Sequence, residues 1–128
     1  MSMKRILIVD DRKDVTTAVS QLMLQAGTHF EVTQYNDWMA AVEEIETAEP
    51  FDLIVTDFRM PRGWEGLAIV QAARAKSTGT KVIVMSSDMT TTDRQDSAAD
   101  GYLVKPFRLE TFILMIQSLV PDLEPRLA

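Results

Sequence analysis

Ile6-Leu7-Ile8-Val9-Asp10-Asp11 sets four consecutive apolar residues, three of them β-branched, directly against two aspartates. A run that is apolar at every position suits a strand covered on both faces, as in a parallel sheet with helices above and below. Runs of the same character recur at Leu53-Ile54-Val55-Thr56, Val82-Ile83-Val84-Met85 and Tyr102-Leu103-Val104. Each is separated from the last by a segment that can hold a helix, which is the spacing of repeated strand–helix–strand units. Phe30, Val32 and Gln34 alternate with Glu31 and Thr33, so a further strand there is half-exposed and belongs at a sheet edge.

The intervening segments carry helical stripes. Val15, Ala18, Val19, Leu22, Met23 and Ala26 share one face, and Gly27 suits the position just past the helix end. Asn36 or Asp37 caps a second helix, with Trp38, Ala41, Val42 and Ile45 on its stripe and an end near Pro50. Residues 66–76 make a third, turning Leu67, Val70 and Ala73 inward. The stretch 90–99 is polar and offers a core little beyond Ala98 and Ala99, so the fourth helix is only faintly amphipathic. Leu109, Phe112, Ile113, Ile116 and Val120 stripe the last helix, opened after Pro106 and closed by Pro121. Five strands alternating with five helices, joined by right-handed crossovers, make an α/β doubly wound parallel sheet. In such a sheet ligands bind at the carboxyl ends of the strands.

Composition narrows the function classes. Thirteen Lys and Arg against nineteen Asp and Glu give a formal charge of −6, which argues against a nucleic-acid-binding surface. No cysteine is present, so disulfide and thiolate chemistry are out, and a reducing cytoplasmic setting is expected. No apolar segment approaches the ~20 residues of a membrane helix, and the apolar run behind Lys4-Arg5 is too short for a signal peptide. One domain over residues 1–121 is expected, with 122–128 a tail or truncated linker.

The strand ends carry the chemistry. Asp10-Asp11 follow the first strand and Asp57 closes the third, so three carboxylates converge on one crevice. Two like charges about 4 Å apart repel by about 4 kcal/mol at an effective dielectric of 20, so the cluster either raises a carboxyl pKa or holds a cation. Carboxylates with water suit Mg²⁺. The fourth strand ends in Ser86, a hydroxyl donor, and the fifth leads to Lys105, a compact cation. A phosphoryl group carried by one carboxylate would find its other oxygens neutralised by cation, lysine and hydroxyl, and Asp57 is the best-placed nucleophile.

With these residues in place the chain resembles the receiver domain of bacterial response regulators over residues 4–120. The resemblance rests on Asp10-Asp11, on Asp57-Phe58-Arg59-Met60-Pro61, on Ser86 and Tyr102, and on Lys105-Pro106-Phe107. It implies a flavodoxin-like strand order 2-1-3-4-5. It also implies Mg²⁺ held by Asp11, Asp57 and the backbone carbonyl of Arg59, with Asp10 acting directly or through water. Lys105 and Ser86 would bind the phosphoryl group, Ser86 and Tyr102 would form a switch, and the Lys105-Pro106 bond resembles one the family keeps cis. Ser86 moving toward the phosphoryl group would let Tyr102 turn inward and change a protein-binding face formed by the fourth helix, the last strand and the last helix, a bias between two states. The implied partners are a histidine kinase or histidine phosphotransfer protein docking near the first helix, and a downstream protein target or a missing output domain. A homodimer stays open. The role is that of a signalling domain rather than an enzyme.

Two departures from the family pattern bear on the site. Four residues, Arg62-Gly63-Trp64-Glu65, precede Gly66 where the family usually has three, and Trp64 would cover the pocket or meet a partner. The span from Ser86 to Lys105 is shorter than usual, at the expense of the fourth-helix region. Arg59 and Ser87 fall where the family tunes dephosphorylation. A phosphatase resembling haloacid-dehalogenase enzymes would need a second aspartate where Arg59 stands. A phosphorylation-independent interaction module is the remaining alternative.

Overall fold

Lys4–Val9 (β1), Phe30–Tyr35 (β2), Leu53–Asp57 (β3), Lys81–Ser86 (β4) and Gly101–Val104 (β5) pair in parallel in one sheet, ordered β2-β1-β3-β4-β5. The computed structural model describes residues 3–26, 30–60, 62–87 and 98–120. Within them run four helices, α1 (Lys13–Ala26), α2 (Trp38–Thr47), α3 (Glu65–Lys76) and α4 (Leu109–Leu119). The helix expected over 90–99 lies almost wholly outside the described residues, as do the terminators Gly27 and Pro121 and the tail 122–128. The strand order is the expected flavodoxin-like one, and β2 takes the edge that its alternating pattern requires.

The period of two along each central strand divides the apolar side chains between two cores. Ile6 and Ile8 of β1 join Val55, Ile83 and Met85 under α1 and α4, against Val19, Met23, Phe112, Ile113 and Ile116. Leu7 and Val9 face the other way with Ile54, Val82 and Val84, against Ala41 and Ile45 of α2 and Ile69, Val70 and Ala73 of α3. Burial of both faces explains the unbroken apolar runs Ile6–Val9, Leu53–Val55 and Val82–Met85. Each fully buried Leu or Ile stabilises by about 2 kcal/mol. In α3 the stripe is rotated slightly from the expected one: Ile69 is fully buried, while Leu67 only flanks the core.

Register brings the strand ends level. Val9 pairs with Thr56, Asp57 with Met85 and Ser86 with Val104, so the chain leaves β1, β3, β4 and β5 along a single rim. At that rim the first turn of α3 presses on the end of β3. A Cβ on Gly66 would lie 2.5 Å from the Asp57 carbonyl oxygen and from Phe58 Cα and O, so only glycine fits.

Candidate functional site

At the rim, Asp10, Asp11 and Asp57 each offer a carboxylate oxygen, all within 4.8 Å of one another. Among the described residues this is the one such group suited to a metal. The residues line a pocket of about 430 Å³ together with Arg59, Met60, Ser86 and Lys105. Asp10 and Asp57 are buried, at 1% and 6% exposure, whereas Asp11 is open to solvent. Lys105 Nζ reaches between the two buried acids, donating to Asp10 Oδ2 at 2.9 Å and Asp57 Oδ1 at 3.1 Å.

Burial pushes the Asp57 carboxyl up to about 6, and the neighbouring Asp10 charge adds to the rise while Lys105 opposes it. Burial and then Asp10 also raise the Asp11 carboxyl. Burial alone would lower the Lys105 ammonium, but its hydrogen bond to Asp10 and the Asp57 charge outweigh that and hold it above the usual lysine range. One ammonium against three carboxylates leaves the cluster with unbalanced negative charge. Its donor set is all oxygen, so the residues present fit a hard divalent cation.

The supports of this cluster are partly ones the sequence did not disclose. Asn36 and Asp37 were equivalent candidates for the α2 cap; Asp37 takes it, accepting from Met39 N–H at 3.2 Å. Asn36 instead donates from Nδ2 to the Asp10 carbonyl at 2.9 Å and to Thr16 Oγ1 at 3.0 Å, tying the end of β2 to the loop that carries both acids. Asp10 also bonds locally, Oδ1 accepting from Arg12 N–H at 3.0 Å just ahead of α1. Asn36→Ala leaves the Asp10 carbonyl and the buried Thr16 short of a partner. It should cost about 1–2 kcal/mol in urea unfolding and weaken divalent-cation binding.

The residue inserted before Gly66 is absorbed inside the β3–α3 loop. Gly63 adopts φ +86°, a conformation glycine takes without strain, and its N–H donates to Met60 O at 2.9 Å; Gly66 N–H closes the loop base on Phe58 O at 3.1 Å. Trp64 packs edge-on against Trp38, centroids 5.0 Å apart at 73°, and is not among the residues lining the acidic pocket. Of its two expected roles, covering the pocket is therefore not the one the structure displays. Pro61 lies outside the described residues.

Ser86 is buried at the end of β4 beside the pocket, and its carbonyl accepts from Lys105 N–H at 2.9 Å. Tyr102 is half-buried on β5 and packs at the margin of the core beneath α2 and α3. The Lys105-Pro106 peptide is cis. Beside the acidic pocket, a groove of about 500 Å³ runs between α1 and the segment after β5, lined by Val15, Ala18, Leu22, Pro106 and Phe107.

Comparison with known proteins agrees with this geometry. The sequence profile of the response regulator receiver domain matches residues 6–117. The chain is 33% identical over 123 residues to transcriptional regulatory protein PrrA of Mycobacterium leprae, covering 94% of this chain and 51% of that protein. It is 31% identical over 124 residues to response regulator MprA of the same organism, covering 94% and 53%. The chain thus spans about half the length of the curated relatives it matches. Among solved structures, chemotaxis protein CheY4 of Vibrio cholerae superposes with a TM-score of 0.80 at 29% identity, over 93% of this chain and all of that one. A receiver domain of sensor histidine kinase PA1611 from Pseudomonas aeruginosa, with a magnesium ion in its active-site cleft, superposes at 0.79 with 23% identity, over 94% of this chain and all of that one.

Proposed function

The chain belongs to the response regulator receiver domain family, and from that premise we propose that Asp57 accepts a phosphoryl group in a Mg²⁺-dependent reaction. Phosphorylation-based signalling is the function of the family. The observation that carries the assignment to Asp57 is the convergence of Asp10, Asp11 and Asp57 within 4.8 Å, with Lys105 Nζ at 3.1 Å from Asp57.

A carboxylate oxygen of Asp57 attacks phosphorus as the bond to the donor nitrogen of a phosphohistidine breaks, and the imidazole leaves with the electron pair and takes up a proton. Mg²⁺, held by Asp11, Asp57 and the Arg59 carbonyl with Asp10 directly or through water, would neutralise charge on the transferring oxygens. Lys105 supplies a second cation that is already at the acceptor carboxylate, and Ser86 supplies a hydroxyl at the same rim. Burial and the Asp10 charge, which raise the Asp57 pKa, leave its carboxylate poorly stabilised and so favour its conversion to an acyl phosphate.

Ser86 and Tyr102 form the switch: drawing Ser86 toward the phosphoryl group frees space beneath β5 into which Tyr102 turns. Tyr102 is half-buried at the margin of the core, on the strand next to the one that ends in Ser86. The apolar groove beside α1 suits the docking of a histidine kinase or histidine phosphotransfer protein, since it opens next to Lys105. Residues 1–121 act as the receiver, a signalling domain of the cytoplasm, and the output is a partner protein or a further domain. No helix among the described residues is long and apolar enough to cross a membrane.

Wild-type chain and Asp57→Asn are incubated with acetyl phosphate, with and without Mg²⁺, and weighed intact. A phosphoryl adduct on wild type alone, and only with Mg²⁺, is expected. No adduct on either would transfer the reading to a phosphorylation-independent interaction module.

A further inference from the structure

Glu65 is 1% exposed, and none of the roles above uses it. Its two oxygens are divided between two loop amides: Oε1 accepts from Arg62 N–H at 2.8 Å and Oε2 from Trp64 N–H at 3.0 Å. A carboxylate in the first turn of a helix is favoured by the helix dipole. The dipole, however, demands neither burial nor oxygens aimed backward into the preceding loop. Burial would push this carboxyl up, but its own N–H and those of Arg62 and Trp64, with the Arg62 charge, hold it below the usual range. The buried side chain is therefore an anion fully occupied by the loop.

That loop carries the part of the cation site that no side chain supplies. Arg59 and Met60 line the acidic pocket. Arg59 stands between Phe58, whose N–H donates to Met85 O at 2.8 Å, and Met60, whose carbonyl receives Gly63 N–H at 2.9 Å. Beside the Gly63-to-Met60 bond, Glu65 holds the neighbouring Arg62 N–H. We propose that Glu65 is a positioning residue for the cation site: its carboxylate, bridging the Arg62 and Trp64 amides, holds the segment after β3 so that Arg59 keeps its place in the lining of the pocket. This rests on the reading of Asp57 as a Mg²⁺-assisted phosphoryl acceptor.

Glutamine at this position keeps the shape but has one oxygen, so one loop N–H faces an NH₂ donor instead of an acceptor. Mg²⁺ is titrated calorimetrically into the full chain as wild type, Glu65→Gln and Val70→Ala, the last a buried α3 residue remote from the loop clamp. Glu65→Gln should weaken Mg²⁺ binding by roughly threefold to tenfold, as expected when part of one charge-assisted hydrogen bond is felt at the site. Val70→Ala should lower stability and leave the affinity unchanged. Both tryptophans, Trp38 and Trp64, sit at this loop, so a shift of intrinsic emission in Glu65→Gln should accompany the loss.

A folded Glu65→Gln chain with wild-type Mg²⁺ affinity overturns the proposal while leaving Asp57 untouched. A wild-type chain that binds no Mg²⁺ overturns the underlying reading as well. If Glu65→Gln does not fold, hydrogen exchange on the wild type decides. The Arg62 and Trp64 amides should exchange more slowly when Mg²⁺ is added, because coupling between the two places is reciprocal; unchanged exchange at both contradicts the clamp.

Discussion

Asp57→Asn should stabilise the protein at neutral pH in the absence of divalent cations, by about 2–3 kcal/mol. The Asp57 carboxyl rises from 3.8 to about 6 on folding, chiefly by burial and by the Asp10 charge. The folded state therefore prefers the protonated acid. Below the unfolded value both states hold the proton and nothing is lost; as pH climbs from 3.8 towards about 6 only the unfolded state gives up its proton, so stability falls, and it levels off once the folded acid ionises too. Asparagine carries no charge at any pH. The advantage of the variant should thus be near zero at about pH 4 and grow to its full size by about pH 7, as read from urea unfolding of both chains. Added Mg²⁺ should raise the wild-type midpoint and largely erase the difference, since a cation binds only the native cluster. A wild type more stable than Asp57→Asn at neutral pH without Mg²⁺ would mean that Lys105 already compensates the acids.

Gly66→Ala should be the most damaging single-methyl change at the rim. The added carbon would meet three backbone atoms of Asp57 and Phe58 at 2.5 Å, and backbone cannot swing aside as a flexible side chain would. Either α3 lifts from β3 or the end of β3 moves, at a cost of about 3 kcal/mol or more, seen as a fall in melting temperature of roughly 10 °C. Because one of the atoms met is the Asp57 carbonyl oxygen and the other two belong to the next residue, Phe58, phosphoryl uptake should fall even where the variant remains folded. A comparable alanine at Gly79, where the nearest atom would be the Ser77 hydroxyl at 3.7 Å, should change stability little.

The sheet was legible because burial of both faces forces unbroken apolar runs at Ile6–Val9 in β1, Leu53–Val55 in β3 and Val82–Met85 in β4, a pattern hard to produce otherwise. The edge position of β2 was legible for the complementary reason, since one face meets water. The acids were legible because parallel strands deliver their carboxyl ends to one rim, so residues far apart in sequence, such as Asp10 and Lys105, could be placed together by topology alone. What escaped were contacts set by local loop geometry. Asn36 beside Asp37 offers two equivalent caps on paper, and only the path of the chain sends Asn36 to Asp10. Glu65 resembles any acid in a first helical turn, and its burial follows from a loop whose course no periodicity encodes. Trp64 could from the sequence cover the pocket or meet a partner, and its edge-on contact with Trp38 was not readable there.

The most direct measurement of the central claim is chemical trapping of the acceptor. The chain is phosphorylated with acetyl phosphate and Mg²⁺, treated with borohydride, which reduces an acyl phosphate to an alcohol, and digested for peptide sequencing by mass. The account predicts homoserine at position 57 and aspartate unchanged at positions 10 and 11. Homoserine at either of those positions, or phosphate that survives borohydride on a serine or threonine, would contradict it.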